Sequence, residues 1–318
     1  MTSDQEGPGA EALRRVLERA GGPEVLALLA EELSGADLTT LMLEVYRRRA
    51  GRTGPAEVMR RYRSDRFVAP SPVGYRELRR AEDRLVAALP EGFEVVTLAP
   101  LVPLAAHSAV GPVDPRKVVA TVRGTEVAAD PTNGLALEAA RRRAEVAADR
   151  RAAAGPVRLA ASQRVVRAQR FQGAGMSAHF QLFAVVTAGR DSGGQRFERE
   201  HLLEHLRFAA RALAGPTGGR AEIRLTVLDA SAAPLLEHVR TELAGTPGLD
   251  VVEDPDRATG RGYYSGLCYK VHLVTPDGPV EVADGGFTDW TRRLTGNGKE
   301  RLLIGGFGVD RLAAGPAL

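Results

Sequence analysis

The sequence contains a single cysteine, Cys268, and only three lysines among its 43 basic residues. One cysteine excludes an intramolecular disulfide and a zinc site built from cysteines. No run approaches the roughly 18 consecutive apolar residues that a membrane helix needs. The first ten residues, MTSDQEGPGA, lack the basic start and apolar stretch of a secretory signal. These absences predict a cytoplasmic protein without a membrane span.

The chain of 318 residues is long enough for one large domain or two modest ones with ample core. Its net charge of +3 is small for this length. The densest basic stretch, residues 44–66, carries eight arginines against three acidic residues. It fits either an RNA footprint, which would make RNA a partner, or the solvated face of a helical region, and the second interpretation is favoured.

Apolar residues recur at steps of three and four through residues 9–66, which predicts several short helices. Residues 68–74, VAPSPVG, form the best linker candidate in the chain. The next helix is predicted over 75–89 and is stopped by Pro90 and Gly92. This punctuation divides the chain into a helical N-terminal extension with its linker, residues 1–74, and a main domain, residues 75–318.

After position 92 the spacing of apolar residues changes to that of strands. Extended runs are predicted at 93–98, 117–122, 126–129, 163–169, 179–188, 223–228, 263–274, 280–282 and 302–307. Helices are predicted between them at 133–153, 199–213 and 233–243. Strands that pair locally around helices indicate an α+β fold with a mostly antiparallel sheet flanked by helices, not a doubly wound fold.

Two helical histidines, His201 and His205, lie four residues apart, a spacing that suits a metal ion. A solvated helix face is the favoured interpretation, and no metal ligands are predicted. His107 is a single histidine, for which a structural role is expected.

The sharpest motif lies near the C-terminal end, where residues 304–312 read IGGFGVDRL. Glycines in a strand let a ligand approach the backbone closely. The guanidinium of Arg311 can grip a phosphate with a planar fork of donors. The segment resembles motif 3 of the class II aminoacyl-tRNA synthetases, in which the corresponding arginine contacts the phosphates of ATP.

Other segments resemble the same family in the same order, most closely histidyl-tRNA synthetase. QRVVRAQR at 163–170, followed by HFQLF at 179–183, is similar to motif 2 and places Arg167 at the arginine that holds the α-phosphate. YYSG at 263–266 and GGFTD at 285–289 resemble segments around the histidine pocket. DPTNG at 130–134 stands where the family has RPEGT.

The resemblance covers about residues 75–318 and implies a class II synthetase-type domain. It implies a homodimer formed near residues 93–103 and ATP as the cofactor, with magnesium left open. The nucleotide-binding residues that it implies are Arg167, Gln169 and Arg311. The substrate-pocket residues that it implies are Thr132, Gln181, Arg261, Tyr263, Tyr264, Gly285 and Gly286.

Several positions depart from the family's pattern. Thr132 replaces a glutamate, and Val185 stands where a second glutamate is expected. Two acceptors for the ammonium group of an amino acid are therefore missing. The catalytic arginine before the tyrosine pair maps onto Thr259, although Arg261 lies close to it. Activation of histidine in the familiar way is not expected.

These departures favour a protein without tRNA-charging activity: a nucleotide-binding, regulatory protein similar to the regulatory subunit of ATP phosphoribosyltransferase. Its N-terminal helices would dock a protein partner or gate the substrate. The alternative is an enzyme that uses ATP to adenylate another amino acid or carboxylate, which two phosphate-gripping arginines would serve. RNA binding is the third hypothesis and depends on residues 44–66 alone.

Overall fold

A computed structural model of the chain describes residues 8–148, 155–169, 177–214 and 219–314. The chain forms two compact units. One comprises Met1–Ser64 with Thr121–Gly124, and the other comprises Asp65–Ala120 with Thr125–Leu318. The division at residue 74 stays a prediction.

Over its described residues, the first unit contains four helices, in agreement with the helical periodicity. They are α1 (Pro8–Ala20), α2 (Glu24–Ala27, continuing as a wider turn over Leu28–Glu32), α3 (Gly35–Ala50) and α4 (Pro55–Ser64). Gly21 and Gly22 end α1 because both adopt a positive φ, 111° and 109°. Ser34 begins α3, where its hydroxyl accepts a hydrogen bond from the backbone N–H of Asp37 at 3.2 Å.

The second unit is built on an eight-stranded sheet and a separate two-stranded sheet. The strands are β1 (Glu94–Val95), β2 (Leu101–Pro103), β3 (Thr125–Val127), β4 (Val157–Val166), β5 (His179–Arg190), β6 (Arg220–Val227), β7 (Leu249–Glu253), β8 (Ser265–Thr275), β9 (Gly278–Thr288) and β10 (Glu300–Gly308). The order in the large sheet is β1-β4-β5-β10-β9-β8-β6-β7. Only the outer pairs β1–β4 and β6–β7 are parallel. The predicted α+β fold with a mostly antiparallel sheet is therefore confirmed.

Six helices accompany this sheet: α5 (Tyr75–Ala88), α6 (Pro131–Ala148), α7 (Arg196–Ala214), α8 (Ala233–Leu243), α9 (Trp290–Thr295) and α10 (Val309–Ala313). Both faces of the sheet are buried. The first core contains side chains of α5, α7, α8 and α10, and the second contains side chains of α6 and α9. Alternate residues of β5 enter different cores: Phe183 and Val185 lie in the first, and Ala184 and Val186 lie in the second.

Several predicted elements have different bounds. Residues 117–122 do not form a strand, because a 3-10 turn over Pro115–Lys117 is held by the Asp114 side chain. Of residues 93–98, only Glu94–Val95 pair with another strand. The short helix α9 and strand β7 were not predicted. Positions 149–153 of the predicted α6 helix, and residue 170 of the motif 2 segment, lie outside the described residues. None of the described helices is both long and apolar enough to span a membrane.

Candidate functional site

Arg167 lies just after β4 and is held from two sides. Its Nε donates a hydrogen bond to the carbonyl oxygen of Ala129 at 3.0 Å, and its Nη2 donates to Asp130 Oδ2 at 3.2 Å. The guanidinium carbon lies 5.1 Å from the centre of the Phe180 ring, within cation–π range. The side chain remains 31% exposed. Arg167 is thus oriented before any ligand arrives, and part of its donor fork faces outward.

A buried histidine positions the backbone that receives Arg167. His107 Nδ1 lies 2.6 Å from Glu126 Oε1, and His107 Nε2 accepts a hydrogen bond from the Ala129 N–H at 2.9 Å. Because Nε2 accepts, Nδ1 carries the proton and donates to Glu126. This pair orients the Ala129 peptide and agrees with the structural role expected for His107.

Thr132 is committed to internal hydrogen bonds. Its backbone N–H and its hydroxyl both donate to Asp130 Oδ1, at 2.9 and 2.7 Å, in the first turn of α6. The Thr132 side chain also lies beside the Tyr263 phenol, where it acts to lower the pKa of that phenol. The residue at the position of the expected ammonium-binding carboxylate therefore joins Asp130 to the tyrosine pair.

Tyr263 and Tyr264 form a compact aromatic group with Trp290. The Tyr263 ring centre lies 5.2 Å from that of Tyr264 and 5.1 Å from that of Trp290, both edge-on. Burial raises the pKa of both phenols well above its usual value, and the charges of Asp130 and Asp284 act in the same direction. Both hydroxyls therefore stay protonated and can donate hydrogen bonds. Gly286 makes room for this group, since a Cβ there would lie 2.8 Å from Tyr264 Cδ1.

Arg257 is the cation that lies under this aromatic group. Its side chain is 1% exposed, and Nη2 lies 3.0 and 2.9 Å from the two Asp284 oxygens. Its guanidinium carbon lies 5.4 Å from the centre of the Tyr264 ring. Burial alone would lower the pKa of Arg257, but the charge and hydrogen bonds of Asp284, together with Cys268 and Tyr264, outweigh burial and the pKa is raised. Burial raises the pKa of Asp284 despite its partner.

The sequence indicated Arg261 rather than Arg257, but in the structure the Arg261 side chain contacts backbone carbonyl oxygens. Arg261 is exposed, and its Nη1 donates to the carbonyl oxygens of Pro255 and Arg257 at 3.0 and 3.2 Å. Arg257 precedes the tyrosine pair by six residues and lies outside any helix or strand. An arginine in a loop that faces an aspartate on a strand gives no periodic signal, so its position could not be read from spacing.

Arg311 lies at the start of α10 beside a second charged group. Its Nη1 donates to the carbonyl oxygen of Glu281 at 3.0 Å and lies 3.7 Å from Glu281 Oε1. Lys270 Nζ donates to Glu281 Oε2 at 2.7 Å and to the Thr259 hydroxyl at 3.3 Å. Burial favours a higher pKa for Glu281, but the hydrogen bond and charge of Lys270, together with Arg311 and His272, outweigh burial and the pKa is lowered. Arg311 itself remains 51% exposed.

A continuous series of contacts joins the two phosphate-binding candidates. It runs through Arg311, Glu281, Lys270, Thr259, Arg257, Tyr264, Tyr263, Thr132, Asp130 and Arg167. The structure therefore links Arg167, Arg311, Thr132, Tyr263 and Tyr264 through one series of contacts. We call this series the site network.

Comparison with known proteins yields structures only: no family model matches the sequence, and no curated protein matches it. A structure of an ATP phosphoribosyltransferase regulatory subunit/histidyl-tRNA synthetase from Bacillus halodurans superimposes with a TM-score of 0.53 at 15% identity, covering 78% of this chain and 83% of that one. A histidine–tRNA ligase subunit from Alicyclobacillus acidocaldarius gives 0.54 at 16% identity, covering 77% and 94%.

A structure described as threonyl-tRNA synthetase ThrRS-1 from Aeropyrum pernix gives a TM-score of 0.56 at 15% identity, covering 74% of this chain and 58% of that one. These three structures all have a class II synthetase-type fold. This chain has the class II aminoacyl-tRNA synthetase fold. At these identities the likeness concerns the fold alone.

Within this class II sheet, Gln181 lies apart from the site network. Its Nε2 donates to Glu82 Oε1 and to the Ser162 hydroxyl oxygen, both at 3.0 Å. Glu82 belongs to α5, which packs on the first core, whereas Tyr263 and Tyr264 pack against the second. Val185 has the same parity on β5 and also lies in the first core. The structure does not bring Gln181 together with the tyrosine pair.

Two further predicted site residues, Gly285 and Gln169, are not part of the site network. A Cβ on Gly285 would lie 2.3 Å from Tyr269 Cζ, so Gly285 makes room for a core tyrosine on the face away from Tyr264. Gly305 does the same, since its Cβ would lie 2.6 Å from the Tyr269 hydroxyl. Gly306 has open space around it. Gln169 contributes its carbonyl oxygen, which accepts from Arg66 Nη1 at 3.1 Å.

The interpretation of α7 as a solvated face at His201 and His205 is wrong. Both histidines are buried, at 3% and 1% exposure, because this face of α7 packs on the sheet. His205 Nε2 lies 3.0 Å from the Thr187 hydroxyl, and burial lowers the pKa of His205 to about 3. Among the described residues, no group of three or more histidine, cysteine, aspartate or glutamate side chains is arranged to hold a metal ion.

Proposed function

We propose that this protein is a nucleotide-binding relative of histidyl-tRNA synthetase that does not charge tRNA and has a regulatory role in the cytoplasm. The observation that carries the proposal is the site network, which has a partly exposed arginine at each end. ATP would lie with its phosphates between Arg167 and Arg311. When bound, ATP supplies an anion that both guanidinium groups can share.

The charges of the site network fit an anionic ligand. Its basic side chains are Arg167, Arg257, Lys270 and Arg311, and its acidic side chains are Asp130 and Glu281; Asp284, outside the series, pairs with Arg257 and is counted with them. One positive charge is left over before any ligand binds. Since each acid already has a basic partner, a magnesium ion would come with the nucleotide and would not have a site prepared for it among the described residues.

The absence of charging activity is supported by the acceptors near the tyrosine pair. Thr132 is occupied by Asp130 and Tyr263. Asp130 and Asp284 each face an arginine. A substrate ammonium would therefore have to displace an arginine from its carboxylate, which costs the interactions that both groups already make.

One observation favours the alternative, an enzyme that adenylates an amino acid or another carboxylate. Arg257 is a buried cation under the Tyr264 ring, and a substrate carboxylate could compete with Asp284 for it. Pyrophosphate exchange across a panel of amino acids and simple carboxylic acids separates the two functions. Exchange that depends on one of these acids would establish the alternative and replace the regulatory proposal.

Calorimetric titration with ATP, with and without magnesium, tests the nucleotide proposal. We expect binding at micromolar to millimolar ATP and no histidyl-tRNA formation by the same preparation. Absence of binding at millimolar ATP would contradict the nucleotide proposal. Histidyl-tRNA formation at the rate of an ordinary synthetase would contradict the proposal that the protein does not charge tRNA.

We also propose that residues 93–103 form a homodimer contact. The strand β1 is an edge of the eight-stranded sheet, and Val95 and Leu101 remain 49% and 41% exposed. An unpaired edge beside apolar side chains favours pairing with another chain. Sedimentation of a Val95→Lys variant tests this contact: weaker association than in wild type supports it, and unchanged association contradicts it.

A further inference from the structure

The helices of the first unit have no core of their own. Within Pro8–Ala20, Gly35–Ala50 and Pro55–Ser64, no described residue is buried. Isolated helices of this length are marginal in water and depend on packing of an apolar face. The first unit therefore needs a surface that covers it.

The uncovered apolar side chains form stripes on α1, α3 and α4. They recur at steps of three or four and are between 38% and 56% exposed: Leu13, Val16, Leu41, Val45, Val58, Met59 and Tyr62. This spacing places the members of each helix on one face. On α4, the residues Val58, Met59 and Tyr62 join Thr53 and Pro55 around a shallow groove of about 580 Å³. The stripe on α4 therefore lines a groove, whereas those on α1 and α3 are identified by composition and spacing.

Charge is separated along the same unit. Residues 8–46 contain seven acidic residues and three arginines, whereas residues 47–64 contain seven arginines and one glutamate. Several of these charges make no ion pair with a described residue: Glu11, Glu24 and Glu31 in the acidic part, and Arg49, Arg52 and Arg63 in the basic part. The first unit thus carries the two signs in separate halves of its sequence.

We propose that the first unit pairs with the same unit of a second copy of this chain. A twofold axis places the acidic half of one copy against the basic half of the other, so a surface with two separated signs is complementary to itself. RNA would match the arginines alone and would leave the apolar stripes exposed to water. An acidic protein partner would match only residues 47–64. Self-association satisfies both charge halves and covers the stripes.

Two full-length variants test the pairing. The first replaces Arg49, Arg52 and Arg63 by glutamate, and the second replaces Glu11, Glu24 and Glu31 by arginine. Each variant would place like charges against each other in a homodimer, so we expect its dimer dissociation constant to rise at least tenfold in sedimentation experiments. Mixed in equal amounts, the two variants restore opposite charges, and we expect heterodimers by native mass spectrometry. Circular dichroism verifies that each variant keeps its helices.

The outcomes separate this proposal from its competitors. Weak homodimers of both variants together with a strong heterodimer support it. Two variants that dimerise as tightly as the wild type, or a mixture that associates no better than its components, overturn it. A wild type that is monomeric at micromolar concentration but shifts RNA, with the shift lost in the arginine variant, overturns it in favour of RNA. The Val58→Ser/Tyr62→Ser variant should weaken the dimer without any change of charge. None of these readouts depends on ATP binding.

Discussion

Arg257 and Asp284 form an ion pair in which the arginine is almost completely buried and the aspartate is partly open to solvent, with side-chain exposures of 1% and 36%. The two residues are 27 positions apart, and the Arg257 guanidinium lies beneath Tyr264. This asymmetry has a consequence for stability, because an unpaired charge costs more when water cannot reach it.

We predict that Asp284→Asn lowers the free energy of unfolding by about 3–5 kcal/mol, since it leaves a buried guanidinium without its carboxylate. Arg257→Met should cost less, because Asp284 can be hydrated. The double variant should cost less than the sum of the two single variants. Urea denaturation measures all three, with Arg76→Ala on the exposed face of α5 as the control. A larger loss for Arg257→Met than for Asp284→Asn would contradict this account.

Binding of ATP should depend on Arg167 and Arg311, the arginines at the two ends of the site network. A charge-assisted hydrogen bond contributes about 1.5–3 kcal/mol, so Arg167→Ala and Arg311→Ala should each weaken ATP binding about ten- to a hundredfold. Isothermal titration calorimetry gives the affinities, and Arg76→Ala should bind as wild type does. If the three variants and the wild type bind equally, the nucleotide lies elsewhere.

Adjacent glycines of β10 should respond differently to a methyl group. Gly305→Ala would place Cβ 2.6 Å from the Tyr269 hydroxyl, whereas Gly306→Ala meets nothing within 4 Å. Overpacking of this kind costs about 1–3 kcal/mol, so Gly305→Ala should lower the melting temperature and Gly306→Ala should change it little. Tyr269→Phe removes the obstructing oxygen and should recover part of the loss. Equal effects at the two glycines would argue against this packing.

Acid should destabilise the protein through His205. The pKa of this buried imidazole is lowered to about 3, below its usual value, so the unfolded chain binds the proton more readily between pH 3 and 6.5. The stability contributed by neutral His205 is therefore present above pH 6.5 and is lost as the pH falls towards 3.

Between pH 7 and 4.5 the loss from this one residue is about 2–3 kcal/mol. His205→Gln cannot take up this proton and should flatten the dependence of unfolding free energy on pH. The His238→Gln variant serves as the matched control on another helix. A pH dependence unchanged by His205→Gln would show that other groups cause the acid sensitivity.

The sequence by itself was sufficient for the fold class, whereas the site residues that its motifs indicate stay a prediction. Local periodicity specified α5, α8 and the long strands, because alternation and three-to-four spacing are properties of a segment alone. Arg167, Arg311 and the tyrosine pair were found because short motifs keep them at set places. The strands β7 and β1 were harder to predict, since their extent depends on pairing with distant strands.

Tertiary structure decided which side chains meet. Successive residues of a strand point to opposite faces, so Gln181 faces Glu82, while Leu182 follows on the other face. Arg257, in the loop before β8, forms an ion pair with Asp284 of β9. The position of Asp284 follows from the register of the two strands, which pairs it with Lys270 of β8. Residue identity and spacing indicated phosphate-binding chemistry. Only the register and the two faces of the sheet determined which of these residues are in contact, because those depend on contacts between segments far apart in the chain.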